Sequence, residues 1–140
     1  RSYAARHPLP KPGRVVMLAP PNQGSEVVDR IGHWSLVRLI NGPAGQELGT
    51  GHDATPNRLG PVPFELGVIA GNRSINWINS LMIAGPDDGK VSVERTKVAG
   101  MKAHLVLPVT HPLMMNDETV IAATLRFLRT GSFSPPPSRH

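Results

Sequence analysis

Three short aliphatic runs, each closed by a polar or proline-rich segment, set the rhythm of this chain. Arg14-Val15-Val16-Met17-Leu18-Ala19 follows Lys11-Pro12-Gly13 and stops at Pro20-Pro21-Asn22-Gln23-Gly24, the form of a buried strand that ends in a loop. Glu65-Leu66-Gly67-Val68-Ile69-Ala70-Gly71-Asn72 predicts a second strand, and residues 103–109, centred on Leu105, Val106 and Leu107, predict a third. Unbroken aliphatic runs suit the strands of a parallel sheet, which are covered on both faces. Between the runs the period changes. From Glu26 onward Val27, Ile31, Trp34 and residues 36–40 recur at three-to-four spacing, with Ser25 able to cap the start and Asn41-Gly42-Pro43 to stop it, so an amphipathic helix is expected there. Residues 117–129 place Val120, Ile121, Thr124, Leu125 and Leu128 on one face, begin acidic and end with Arg126, Arg129 and Gly131, the charge order a helix dipole favours. Residues 41–63, rich in Gly and Pro, form an irregular excursion of the kind used for lids and binding segments. Strands separated by helices or long irregular stretches imply an α/β fold with a mainly parallel sheet of about three strands. The Pro-Ser stretch 132–140 is expected to be a disordered tail.

Composition narrows this picture. With 140 residues the chain is the size of one domain, and 14 Gly and 15 Pro exclude a coiled coil or helical bundle. Aromatic residues make up 4%, which leaves the core to Val, Ile, Leu and Met. A net charge of +5 would fit nucleic acid, but the 15 Lys and Arg are spread without a cluster and without interleaved aromatics, so no nucleic-acid partner is expected. No apolar stretch approaches the roughly 18 residues that cross a bilayer, and Arg1-Ser2-Tyr3-Ala4-Ala5-Arg6-His7 has no signal-peptide core, which favours the cytoplasm. The absence of cysteine excludes disulfides, a thiolate zinc site and a cysteine nucleophile. His7, His33, His52, His104, His111 and His140 show no ligand spacing, and the glycine-rich stretch 42–51 lacks a Gly-Lys-Ser/Thr ending. Neither a metal nor another cofactor is expected.

In open α/β sheets the chemistry lies beyond the carboxyl ends of the strands. Three polar segments meet that condition: Pro20-Pro21-Asn22-Gln23-Gly24-Ser25, the stretch Gly85-Pro86-Asp87-Asp88-Gly89-Lys90, and Val109-Thr110-His111-Pro112. An acid followed by a histidine, each in a loop after a strand, is what the second half of a nucleophile-histidine-acid triad looks like, the acid orienting the imidazole and the imidazole taking the nucleophile's proton. Asp-Gly is equally a common turn pair, and His111 equally a loop histidine before a proline.

These segments, in this order and followed by a C-terminal helix, resemble the C-terminal half of bacterial α/β-hydrolase-fold esterases and lipases. The resemblance implies Asp88 as catalytic acid, with Asp87 as a substitute, and His111 as base, acting on an ester or lipid-like small molecule. It makes residues 1–131 the C-terminal portion of a single α/β-hydrolase domain, residues 25–63 a lid or cap, and Trp34, Leu36 and Leu39 candidates to line the acyl pocket, although ordinary core contacts are the commoner use of such side chains. One feature of the family is missing: no Gly-x-Ser-x-Gly nucleophile elbow occurs. Residues 1–8 look like the end of the helix that follows the elbow, so the chain is expected to be truncated just after its nucleophile and inactive alone. The alternative is a non-catalytic hydrolase-like module that self-associates as a homo-oligomer or complements a partner chain.

Overall fold

Each of the three aliphatic runs forms a strand, and the strands lie parallel in the order β1 (Val15–Leu18), β2 (Leu66–Gly71), β3 (Ala103–Leu107). The computed structural model describes residues 1–7, 10–25, 55–74, 85–88 and 91–135. Val15 pairs with Leu66 and Leu18 with Ile69, while Ile69 pairs on its other side with Leu105. This is an open α/β arrangement, a three-stranded parallel sheet with flanking helices. β2 is buried at all of its positions because it has a strand on each side, whereas β1 and β3 are partly exposed. The expected helix from residue 26, most of the lid-like excursion and the residues Trp34, Leu36 and Leu39 lie outside the described residues.

The C-terminal helix has the ends its sequence announces. We label the helices α1 (Ser2–Arg6), α2 (Thr55–Arg58) and α3 (Glu118–Thr130). Asp117 caps α3, its Oδ1 accepting from the backbone N–H of Thr119 at 2.9 Å and of Val120 at 3.1 Å. Gly131, at φ 75°, closes the helix in a left-handed conformation and donates its N–H to Phe127 O at 2.7 Å.

The buried face of α3 differs from the expected one. Val120, Ala123 and Phe127 face the sheet and join Ala19, Ile69, Val109 and Met114 in one core cluster, whereas Ile121, Leu125 and Leu128 are 41–46% exposed. The apolar stripe is wide enough to allow two faces, and the choice falls to Phe127, fully buried against Phe133 with ring centroids 4.8 Å apart. Phe133 also moves the boundary of the expected tail. Read as part of a disordered stretch, it is instead packed into the core, because Gly131 turns the chain back over the sheet.

At the amino end of the sheet, Glu65 accepts from Arg14 Nε and from Lys102 Nζ, each at 2.7 Å. Those bonds, Lys102 first, hold its carboxyl below the usual carboxylate range. Arg14 also donates to Arg129 O at 2.9 Å and Leu128 O at 3.2 Å, the negative end of α3. No helix among the described residues is long and apolar enough to cross a membrane.

Candidate active site

At the opposite end, the backbone continues the sheet past the last residue of β2. The N–H of Asn72 donates to Leu107 O at 3.1 Å and that of Arg73 to Val109 O at 3.2 Å, which lays the segment after β3 alongside the end of β2. The acid turn closes on itself here. Val93 N donates to Pro86 O at 2.9 Å, Asp87 and Ser92 form an antiparallel bridge, and Val91 N donates to Asp88 Oδ1 at 3.0 Å.

Asp88 and His111, 23 positions apart in sequence, meet in this corner, with Asp88 Oδ2 2.8 Å from His111 Nδ1. A second bond joins them through the backbone, His111 N donating to Asp88 O at 3.0 Å. The carboxylate is 0% exposed and the imidazole 30% exposed. Oδ1 accepts from the backbone N–H of Val91, and Oδ2, acceptor-only when ionised, accepts from Nδ1–H. In the neutral ring this places the lone pair on Nε2. Nε2 has no hydrogen-bond partner among the described residues. Pro112 sits in the first turn of the 3₁₀ segment His111–Asn116, where its locked φ helps to start the turn. A buried carboxylate that orients a partly exposed imidazole is an arrangement able to support proton removal at Nε2.

Sequence reasoning left Asp87 open as a substitute; the structure places Asp88, not its neighbour, on Nδ1 of His111. It also reveals supports that the sequence did not assign. Ala19, 1% exposed, sits at φ 41°, a conformation costly for a residue with a Cβ, and turns the chain from β1 into Pro20-Pro21-Asn22. Asn22 is buried there, its Nδ2 donating to Thr96 O at 2.8 Å while Arg1 donates to its Oδ1 at 3.0 Å. Arg1 reaches on to Gly60 O at 2.7 Å, and burial lowers the pKa of its guanidinium. Gln23 N donates to Arg95 O at 3.0 Å and Arg95 Nη1 returns a bond to Gln23 O at 3.1 Å.

The Asn22 loop is thereby zipped to the 3₁₀ segment Glu94–Thr96, which follows the acid turn. Thr96, 1% exposed, donates its hydroxyl to Val93 O at 2.6 Å and lies 2.8 Å from His104 Nε2, which must then be the donor to Thr96 Oγ1. Burial, reinforced by the nearby Lys97 charge and opposed by Glu94, lowers the pKa of His104. The Pro-Asn-x-Gly-Ser pattern marks the loop in the sequence, but nothing there marks Thr96 or His104 as its partners.

Among the described residues no group of three His, Asp or Glu could hold a metal ion. A cavity of about 370 Å³ lies between Ala4, Ala5, Pro12, Leu59, Pro63 and Phe64, and neither Asp88 nor His111 lines it.

No family model matches the chain, and no curated protein matches it. Among solved structures, a lipase of Bacillus licheniformis in its mature form aligns with it at 19% identity and a TM-score of 0.45, over 67% of this chain and 46% of the lipase chain. The chain thus spans less than half the length of that lipase.

Proposed function

We propose that these residues carry the acid and base of a serine hydrolase of the esterase or lipase type, as the C-terminal portion of a single α/β-hydrolase domain. The observation that carries the reading is the 2.8 Å contact between a fully buried carboxylate and Nδ1 of a partly exposed imidazole. In the reaction, a serine Oγ attacks the ester carbonyl carbon while Nε2 of His111 takes its proton. The tetrahedral oxyanion collapses, the bond to the alcohol oxygen breaks, and the alcohol leaves with the proton from Nε2. Water then attacks the acyl-enzyme by the same steps and the serine regains its proton. Asp88 stabilises the imidazolium without itself becoming protonated.

The sequence holds no Gly-x-Ser-x-Gly pentapeptide, so in this reading the nucleophile comes from outside these 140 residues. The 140-residue chain alone is expected not to react with a serine-directed fluorophosphonate; stoichiometric labelling at a mapped serine would refute an external nucleophile. In the protein that hydrolyses the ester, Asp88→Asn and His111→Ala should each lower the rate by orders of magnitude. Unchanged hydrolysis in either variant refutes the assignment.

A second reading, a non-catalytic module that associates with a copy of itself or with a partner chain, is supported by the exposed side of α3 at Ile121, Leu125 and Leu128. Light scattering separates the two readings: a stable monomer argues against the module.

A further inference from the structure

Gly71, the last residue of β2, is buried between the two loops that carry the acid and the base. A Cβ at this position would overlap Val109 O, stand 2.9 Å from Asp88 Cβ and 3.1 Å from Met114 Cε. The methionine methyl group is the end of a flexible side chain and can swing aside. The other two cannot. Val109 O is held by Arg73 N at 3.2 Å, and Asp88 is held by its bonds to Val91 and to both the backbone and the ring of His111.

We propose that Gly71 is a positioning residue of the Asp88–His111 pair: the missing side chain at the end of β2 sets the separation at which the acid turn and the histidine loop meet. The proposal rests on reading that pair as a working acid and base. Ordinary contact begins at 3.4 Å, so the Asp88 Cβ has to withdraw by at least half an ångström and the Val109 carbonyl by more. Both move away from the same point and so away from each other. A 2.8 Å hydrogen bond stretched in this way passes out of its effective range, and a misplacement of about 1 Å can cost about 100-fold in catalysis.

Gly67, four residues earlier on the same strand, provides the control. A Cβ there meets ring atoms of Phe133 at 2.7 Å and of Phe127 at 2.9 Å, so it disturbs the core beneath α3 and not the dyad. Both alanine substitutions overpack a buried site and both should lower stability. Only Gly71→Ala should part the dyad.

The test is proton NMR of the 140-residue chain with ¹⁵N-labelled histidine. The Nδ1–H of a histidine bound to a carboxylate resonates far downfield, and loss of the signal in His111→Gln assigns it. Gly71→Ala is expected to lose this signal at neutral pH, while Gly67→Ala keeps it. Retention of the signal in Gly71→Ala, or its loss in both variants, overturns the proposal. Should Gly71→Ala fail to fold, it is recorded in trimethylamine oxide, which favours the folded state. A chain still unfolded there also overturns the proposal, because Gly71 would then serve the fold and not the spacing of the pair. Absence of the signal from the unsubstituted chain would overturn the dyad along with it. Ester hydrolysis is not the readout, so failure of the hydrolase reading leaves this result standing.

Discussion

At the amino end of the sheet Glu65 holds two cations at the surface, and at the carboxyl end Asp88 holds an imidazole and a backbone N–H in the interior. Both carboxylates accept bonds on each oxygen, at distances between 2.7 and 3.0 Å. Their surroundings make them different devices. Water competes for every partner of Glu65, and salt screens its charge, so its bonds hold Arg14 and Lys102 loosely. The side chain of Asp88 is withdrawn from water, and its bond to Nδ1 orients the ring of His111. Distances alone do not distinguish a fastening from an instrument; burial does.

The largest effect that could break this contrast comes from making the same isosteric change at both ends. On the hydrolase reading, Asp88→Asn is expected to reduce ester hydrolysis by about 10⁴-fold, the scale seen when a triad acid is replaced by its amide elsewhere. Glu65→Gln should leave the rate unchanged, and equal losses in the two variants would erase the distinction. Next in size is Asn22→Ala, which removes the buried amide between Thr96 O and Arg1. It should cost about 1–3 kcal/mol, the range for stranding a buried partner, read from the urea midpoint.

A smaller effect sharpens the contrast through pH. His104 has a folded-state pKa below its usual 6.5, so the unfolded chain takes up this proton first. Its contribution is therefore present above about pH 6.5 and is lost as the pH falls toward the lowered folded value. His104→Gln should flatten the unfolding free energy over that window, and an unchanged slope would exclude His104 as its source. The smallest effect is at Glu65. Its lowered pKa places its contribution above the usual carboxylate range, to be lost on acidification. The stability difference between Glu65→Gln and the unsubstituted chain should shrink in 1 M salt.

The sequence made the strands legible because buried parallel strands are continuous aliphatic runs, and β2 is the purest of them. The ends of α3 were legible because Asp117 and Gly131 act locally. The meeting of Asp88 with His111 was legible from their order and from their places after strands. What stayed hidden depends on contacts across the chain. The face that α3 buries was decided by Phe127 meeting Phe133, and a stripe with two apolar sides cannot announce that choice. Asn22 finds Thr96 across 74 positions, which no local pattern encodes. Gly71 acts through an atom it lacks, and its meaning appears only when Asp88 and Val109 are seen around it.

The bond from His111 N to Asp88 O belongs to the backbone. Substituting either side chain therefore leaves the two loops tied together, and an inactive variant should keep the shape of the active corner. On the hydrolase reading, Asp88→Asn or His111→Ala would then give a protein that still receives its ester and cannot turn it over, a trap from which the unknown substrate could be recovered intact.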